Sequence, residues 1–269
     1  MQTTPPSCDQ IPVKMVVFAN DSYFSYLLAE PVFREYHQYI DRVIFSRRTT
    51  SSGSRILDIY RKSYPGYFFY RSLVELISRW NKFRGRKSIA QLAGQYSIAV
   101  SYENDVNHSN YTEDLSADIG CAFNLDQIIR ARLLGCFRHG VLNVHASRLP
   151  DDKGISPALW AFARGEDSIW SSIYRMDEGL DTGPVYQQFS MPVETGDSAF
   201  ACYEKLCTAS GEKLVATVKN ILENDIEPAA QENNPSSTVW SWPDRSHKEM
   251  MASSGRSFIH LHDVIRAIK

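Results

Sequence analysis

The 269-residue sequence lacks the features that mark secreted, membrane-spanning and zinc-binding proteins. Its five cysteines are odd in number and include no C-x-x-C pair, so we expect neither a disulfide framework nor a zinc ribbon. It has no run of about eighteen or more apolar residues, and its start, MQTTPPSCDQ, lacks the charged and then apolar plan of a signal peptide. We therefore expect a cytoplasmic protein.

The sequence also lacks a strong net charge. Its 29 Lys and Arg residues and 31 Asp and Glu residues give a net charge of -2, which provides no overall field for holding nucleic acid by its phosphates. The apolar share of 43% is ordinary, and the length is enough to bury a substantial core. These values favour a globular protein and disfavour a nucleic-acid partner, although a local basic patch stays open.

Short β-rich runs alternate with helical patterns over most of the chain. Strands are predicted at residues 14–20, 42–46, 96–102, 117–124, 141–147, 171–176 and 184–193. Helices are predicted at residues 22–33, 125–134, 156–164, 198–222 and 261–269. This alternation indicates an α/β fold, with a mostly parallel, Rossmann-like sheet, helices on both faces and a short C-terminal appendage. Ligands of such a sheet bind at the carboxyl ends of its strands.

Residues 64–87 depart from this rhythm. A three-four spacing connects Phe69, Leu73, Leu76, Trp80 and Phe83, and the basic residues Arg84, Arg86 and Lys87 follow. The spacing predicts a helix that packs on the body of the protein through this apolar face. Two alternatives stay open, a homodimer seam and a helix that lies in a membrane interface.

The stretch VLNVHASRLP, residues 141–150, carries the chemistry-bearing side chains. Residues two apart on a strand face the same side, so Asn143 and His145 project together near the carboxyl end of the strand. An amide and an imidazole can hold the oxyanion that develops when an amine attacks an acyl carbon. Asp181, in the glycine-bounded MDEGLDTG loop, can orient the imidazole. Taken singly, the histidine could equally be structural and the aspartate a turn residue.

Taken together, these motifs resemble one family. LNVHASRLP, MDEGLDTGPVYQQ and PVETGDS are similar to the folate-dependent formyltransferases, which include methionyl-tRNA, glycinamide ribonucleotide and sugar N-formyltransferases. The resemblance is dense over residues 95–222 and extends over 14–58. It implies a catalytic triad of Asn143, His145 and Asp181. We expect a formyltransferase domain at 12–222, with a helical insertion at about 59–90, and a loop-rich extension at 223–269 that ends in a short helix.

The resemblance also implies a co-substrate, 10-formyltetrahydrofolate, and no metal. It places the pterin in a slot whose apolar wall is Phe123, Leu125 and Ile128, read by the backbone from Asp177 to Gly179. It assigns tetrahydrofolate contacts to the tetrapeptide Ser147, Arg148, Leu149 and Pro150. The chain departs from the family where Arg148 replaces a leucine, at residues 151–153, and where Tyr174 replaces the histidine of several members.

The identity of the amine acceptor is the least determined part of the predicted function. FANDSYF, residues 18–24, lacks the glycine-rich phosphate loop of glycinamide ribonucleotide enzymes. The short tail disfavours a tRNA acceptor, although SRRTTSSGSR resembles a basic loop of the tRNA enzymes. We expect a nucleotide-linked amino sugar, with Arg47, Arg48 and Arg55 as diphosphate partners. The alternatives are a methionyl-tRNA formyltransferase-like enzyme, a formyltetrahydrofolate hydrolase, and a non-enzymatic scaffold that acts through the 64–87 helix.

Overall fold

A seven-stranded sheet forms the framework of the protein. The computed structural model describes residues 13–47, 60–108, 115–232 and 234–269. The strands of the main sheet are β1 (Met15–Ala19), β2 (Ile40–Ser46), β3 (Ala99–Glu103), β4 (Ile119–Phe123), β5 (Val141–His145), β7 (Ser168–Arg175) and β8 (Val185–Pro192). Their spatial order is β3-β2-β1-β4-β5-β7-β8, and β6 (Asp152–Gly154) pairs separately with β9 (Thr238–Trp240).

The sheet is mostly parallel, as predicted. Strands β1 to β5 pair in parallel, whereas β7 runs antiparallel to both β5 and β8. All five residues of β1 are buried, which is typical of a central parallel strand covered on both faces. The five parallel strands therefore end along one edge, and the β7–β8 hairpin is added beside the last of them.

Helices lie on both faces of the sheet, as predicted, with most of them on one face. They are α1 (Tyr23–Tyr36), α2 (Pro65–Phe83), α3 (Ile89–Gln95), α4 (Ala131–Leu134), α5 (Pro157–Ala163), α6 (Ala199–Asn224), α7 (Arg245–Ser254) and α8 (Leu261–Ile268). Met15 and Val17 of β1 face the larger core, while Val16 and Phe18 face a smaller core closed by α4 and connecting segments. None of the described helices has the length and apolar content needed to cross a membrane.

The helix predicted at residues 125–134 is confirmed only at its end, as α4. Long-range hydrogen bonds hold the preceding residues in an irregular conformation. The buried Gln127 side chain accepts from the Val106 amide at 3.1 Å and donates to the Ser46 hydroxyl at 2.6 Å. Asn107 donates to the Ile128 carbonyl at 2.9 Å. The Asn107 bond uses a backbone carbonyl that a helix would bond internally, and the Gln127 bonds tie the segment to β2 and to the residues after β3.

Helix α2 forms as predicted, but it packs through a different face. Its buried side chains are Tyr67, Tyr70, Val74, Ile77, Ser78 and Asn81. Of the predicted apolar face, only Leu73 packs against the core, and the other four side chains are exposed. The prediction that this face packs on the protein is therefore wrong. The helix carries two apolar faces, and the buried one is held by aromatic contacts such as Tyr70 stacked on Phe258 at 4.9 Å.

The C-terminal segment is more ordered than the predicted loop-rich extension. Helix α7 forms where a loop was expected, because the Asp244 side chain caps its first turn and Gly255, at φ +65°, ends it. The indole of Trp240 stacks on Trp160 at 4.3 Å between ring centroids. The terminal helix α8 is present as predicted. The tail thus packs on the body of the protein rather than extending from it.

Candidate active site

Strand β5 places Asn143 and His145 at the carboxyl edge of the sheet. His145 is its last residue and is buried, and Asn143 is half-buried. The strand lies between parallel β4 and antiparallel β7, so these side chains face residues from a neighbouring strand as well as the loops beyond. Both side chains are found where an open α/β sheet binds its ligands.

The loop between β7 and β8 brings Asp181 to the same place. Asp181 is 7% exposed and has a φ of +53°, a conformation that a non-glycine residue adopts rarely. At Gly183, a Cβ would lie 1.8 Å from the Arg175 carbonyl oxygen, so only glycine fits there. The backbone amide of Gly154 donates to Asp181 Oδ2 at 2.9 Å. The loop is therefore held in one tight conformation around its carboxylate.

A hydrogen-bonded network joins the three residues through Tyr174. Asn143 Nδ2 donates to the Tyr174 hydroxyl at 3.1 Å, and that hydroxyl donates to Asp181 Oδ1 at 3.0 Å. His145 Nδ1 lies 3.5 Å from the same carboxylate oxygen. Burial, followed by the charge of Asp181, raises the pKa of Tyr174 well above its usual range, so the hydroxyl keeps its proton and donates it.

Tyr174 is a site residue whose role the sequence did not reveal. It lies directly opposite Asn143 in the antiparallel β5–β7 register. Residues opposite each other across such a pair have side chains within contact distance. Only the strand register identifies this neighbour, and the register cannot be read from the spacing of one strand.

The second nitrogen of His145 faces the loop after β5. His145 Nε2 lies 3.0 Å from the Asp152 carbonyl oxygen, which also accepts a hydrogen bond from the Ser147 hydroxyl. Both ring nitrogens therefore face oxygen atoms that can accept hydrogen bonds.

The tetrapeptide Ser147 to Pro150 forms a fixed turn that ends in a cis Leu149–Pro150 peptide bond. Ser172 accepts from the Leu149 amide at 3.0 Å and donates to the Ser147 carbonyl at 2.7 Å. Gln188 donates to the Leu149 carbonyl at 2.7 Å. Ser147 and Leu149 are buried. Ser172 and Gln188 reach the turn from β7 and β8, so only the pairing of these strands with β5 reveals their role.

Arg148 points out of that turn. Its guanidinium lies over the Trp170 ring, 5.1 Å from the centroid. A cavity of about 310 Å³ lies beside it, lined by Ala146, Ser147, Arg148, Asp151, Asp152, Ala161, Glu166 and Trp170. Three of the residues that depart from the family pattern, Arg148, Asp151 and Asp152, therefore line one polar cavity.

The slot predicted for a pterin lies between the segment after β4 and the loop before Asp181, and one hydrogen bond joins these two segments. The Ala131 amide donates to Glu178 Oε1 at 3.3 Å, which joins the segment after β4 to the loop before Asp181. Ile128 and Leu180 are 57% and 51% exposed, so apolar surface is available between the two segments. Phe123 is fully buried in the core, so its side chain offers no surface to a ligand and the apolar wall is left to Leu125 and Ile128.

The loop before Asp181 holds its own backbone. Asp177 Oδ1 accepts from the Gly179 amide at 3.0 Å and from the Thr182 hydroxyl at 2.7 Å. These bonds fix the backbone that the resemblance assigns to the pterin edge. The residues of the slot fit a flat heterocycle with one apolar face and polar edges.

A second cavity lies at the carboxyl ends of β1 to β3. Its volume is about 480 Å³, and it is lined by Asp21, Phe45, Ser46, Lys82, Ser88, Ala90, Gln91 and Tyr102. The Arg47 guanidinium lies over the Tyr102 ring, 5.7 Å from the centroid. Arg48 and Arg55, the other predicted phosphate partners, lie outside the described residues.

The C-terminal segment bonds to both loops of the site. Gln231 Nε2 donates to the carbonyls of Asp181 at 3.0 Å and Gly183 at 2.7 Å. The Thr238 amide donates to the Asp151 carbonyl at 2.7 Å, and β9 continues this contact by pairing with β6. The tail is therefore part of the scaffold that holds the Asp152 and Asp181 loops.

In the described part of the chain, one group of side chains has the spacing of metal ligands. It consists of His260, His262 and Asp263 at the start of α8. Asp263 already accepts from the Ser198 hydroxyl and the His260 amide, which caps the helix. This group is distant in the chain from the β5 site, and its hydrogen bonds serve to cap α8.

Comparison with known proteins identifies relatives of the chain. A family model described as "Formyl transferase" matches residues 72–218. Methionyl-tRNA formyltransferase from Clostridium tetani is 32% identical over 163 residues, covering 58% of this chain and 53% of that protein. The bifunctional polymyxin resistance protein ArnA from Wigglesworthia glossinidia brevipalpis is 28% identical over 184 residues, covering 67% of this chain and 28% of that protein.

The fold also matches a solved structure. The N-formyltransferase from Helicobacter canadensis, crystallised with folinic acid and dTDP-3-aminofucose, has a TM-score of 0.56 at 18% sequence identity. The match covers 95% of this chain and 80% of that one. At this identity the likeness is one of fold. The chain spans about half the length of the Clostridium relative and under a third of the ArnA protein.

Proposed function

The chain belongs to the formyl transferase family, and we propose that it transfers a formyl group from 10-formyltetrahydrofolate to a primary amine of a small biosynthetic substrate. The observation that carries this proposal is the connected network of Asn143, Tyr174, Asp181 and His145 at the end of β5. It combines two groups that can donate to an oxyanion with a buried carboxylate that can position one of them.

The bound folate supplies the formyl carbon that the acceptor amine attacks. Asn143 Nδ2 is the donor that meets the negative charge developing on the formyl oxygen. His145 Nε2–H provides the second donor. The proton that the attacking amine loses passes to the Asp181 carboxylate. Asp181 fixes the orientation of the imidazole through Nδ1, and the proton finally passes to the departing folate nitrogen, which completes the transfer of one formyl group.

His145 can act in this way only when Nε2 leaves the Asp152 carbonyl. That carbonyl accepts from the ring at 3.0 Å. We infer that ligand binding moves the short 151–154 loop or turns the ring, so that the formyl oxygen replaces a backbone oxygen. An exchange of one acceptor for another changes the hydrogen-bond count little and is energetically modest.

The position of Arg47 favours an extended acceptor molecule with an anionic end. Arg47 follows β2, and β2 lies three strands from β5 in the sheet. Neighbouring strands are about 4.8 Å apart, so Arg47 and Asn143 are separated by roughly 14 Å along the sheet edge. A nucleotide-linked amino sugar would span this distance, with its phosphates near Arg47 and its base beside the half-exposed Tyr102.

The Clostridium relative supports a second candidate, an aminoacyl-tRNA acceptor. At 32% identity it is closer in sequence than the sugar enzyme from Helicobacter canadensis. Such an acceptor is also long and anionic. The two candidates differ in the size of the acceptor, so they are separated by assay rather than by the local geometry.

The test is a formylation assay with the purified full chain and 10-formyltetrahydrofolate. Its arms are a panel of nucleoside diphosphate amino sugars, charged initiator tRNA, and buffer without an amine. We expect a product heavier by one formyl group in the sugar panel, and no turnover by His145→Ala, whose fold is checked by circular dichroism. Formylation of the tRNA alone would overturn the sugar assignment. Formate release that does not depend on an amine would identify a hydrolase.

A further inference from the structure

Helix α2 turns a row of large apolar side chains away from the protein. Their exposed fractions are 70% for Phe69, 60% for Leu76, 45% for Trp80 and 82% for Phe83. The four positions share one helical face at intervals of three, four and seven residues. The buried face lies on another side of the same helix and holds it to the core. The outward row therefore is not needed to fold or anchor α2.

The segment that contains this row is also the most basic part of the chain. Residues 60–87 hold eight Lys and Arg residues and one acidic residue, Glu75. The chain as a whole has 29 basic and 31 acidic residues, so the remainder is strongly acidic. Six of the eight basic residues are exposed: Arg61, Lys62, Arg71, Arg79, Lys82 and Arg84. A concentrated positive field thus coincides with the exposed apolar row.

The basic side chains border the apolar row. Arg84 lies over the Trp80 ring, 5.9 Å from its centroid. Arg79 is the residue before Trp80 and pairs with Glu75 at 2.8 Å on the exposed surface. Long Lys and Arg side chains can lay their stems along an apolar surface while the charged ends reach polar groups beside it.

We propose that this face of α2 docks on an anionic lipid surface. A helix with exposed Trp, Phe and Leu on one face and Lys and Arg around it lies in the plane of the interface, with its apolar side chains below the headgroups. Each basic residue near an anionic membrane adds to the attraction, and the field decays within about 10 Å at ordinary salt. The proposal does not depend on which amine the site formylates.

A second copy of the chain is a weaker occupant. In a two-fold dimer the same patch of both subunits meets itself. Such a contact would place the basic segment 60–87 opposite its own copy, so like charges would oppose the apolar attraction. An anionic lipid surface satisfies both the apolar row and the charge.

The test is co-sedimentation of the full chain with vesicles of phosphatidylcholine alone or with about one-third phosphatidylglycerol. We expect binding to the anionic vesicles that weakens as salt increases. The double variant Leu76→Ser with Phe83→Ser should lower the partition constant at least about tenfold, because it removes two exposed apolar anchors. Val100→Ser, an exposed position on the edge strand β3, is the matched control and should bind like the wild type.

A second measurement isolates the helix. The difference in fluorescence between the wild type and Trp80→Phe reports Trp80 alone, and it should shift to shorter wavelength when anionic vesicles are added. Full-length protein that stays in the supernatant, or binding that the double variant retains, would overturn the proposal. Self-association that depends on Phe83, measured by sedimentation equilibrium without lipid, would instead assign the face to a second copy.

Discussion

The hydroxyl of Tyr174 donates a hydrogen bond of 3.0 Å to the carboxylate of Asp181. The same hydroxyl accepts from Asn143 at 3.1 Å, so one side chain holds two of the proposed catalytic groups. The tyrosine is 3% exposed, and water cannot easily replace its hydroxyl. Its removal would leave a buried carboxylate oxygen and an amide short of one partner each.

Replacement of Tyr174 by phenylalanine should therefore lower kcat while the ring remains packed. We expect a fall of about tenfold to a hundredfold, because Asn143 and Asp181 lose the group that fixes their spacing and each misplaced donor costs roughly that much. The KM for the folate should change little. Steady-state kinetics on Tyr174→Phe would measure both values.

The matched control is Tyr36→Phe. The Tyr36 hydroxyl also makes a long-range hydrogen bond, to the Val215 carbonyl at 3.3 Å, but it lies on α1 away from the site. Equal kcat values for the two phenylalanine variants would show that Tyr174 does not position the site.

A second prediction concerns Asn143. If its amide meets charge that develops only during transfer, Asn143→Ala should lower kcat by about 10² to 10³ and leave the KM of the acceptor within a few-fold. Single-turnover kinetics with saturating folate would isolate this step. A variant that mainly raises KM would mean that Asn143 binds the substrate equally in the ground and transition states.

Parts of this site follow from the sequence. The two-residue spacing placed Asn143 and His145 on one face of a strand, and the glycines around Asp181 predicted a tight loop, as the close approach of Gly183 to the Arg175 carbonyl shows. The sheet and its mostly parallel order followed from alternating apolar runs. These are local patterns, which a sequence records directly.

Other parts depend on tertiary contacts. The link through Tyr174 depends on the register between β5 and β7. Periodicity located the helix α2 but not its buried face, because the helix has two apolar faces and only the packing of α8 and the tail selects between them. Phe123 is apolar at the end of a strand, and its burial in the core rather than in the slot is decided by which side of β4 it faces.

The tail should matter for catalysis through Gln231. Its amide group donates to the carbonyls of Asp181 and Gly183, so Gln231→Glu would set a carboxylate against two carbonyl oxygens. We expect kcat to fall several-fold or more and hydrogen exchange in the 177–183 loop to become faster, because the loop loses its restraint. Glu232→Ala, at the exposed neighbouring position, serves as the control. Unchanged exchange in the Gln231 variant would contradict a restraining role.

The last prediction concerns acid stability and His247. This side chain is fully buried, with its Nε2 3.2 Å from the Leu159 carbonyl and its ring stacked on Phe258. Burial lowers its pKa from 6.5 to about 4, so the folded protein resists protonation that the unfolded chain accepts.

Because the folded pKa is the lower one, the contribution of His247 is fully present above about pH 6.5 and is lost as the pH falls towards about 4. The loss amounts to about 3 kcal/mol over that window, from 1.36 kcal/mol per unit of pKa difference. His247→Gln keeps a donor for the Leu159 carbonyl but does not titrate, so its free energy of unfolding should depend less on pH. Urea unfolding at about pH 7 and about pH 4.5 would measure the difference.

Three carboxylates among the described residues, Asp41, Asp244 and Asp263, also have pKa values below the usual 3.8. Burial raises the pKa of Asp41 and Asp263, but hydrogen bonds from Arg42 and Ser198 outweigh it, and the Ser246 side chain lowers the pKa of Asp244. Their contributions to stability are therefore lost only at lower pH. Above about pH 4.5, the pH dependence of the free energy of unfolding therefore reports on histidine rather than on these carboxylates. His108→Gln, at an exposed position, should keep the pH dependence of the wild type. If His247→Gln were to show that same dependence, the burial of a neutral imidazole would not be the source of acid sensitivity.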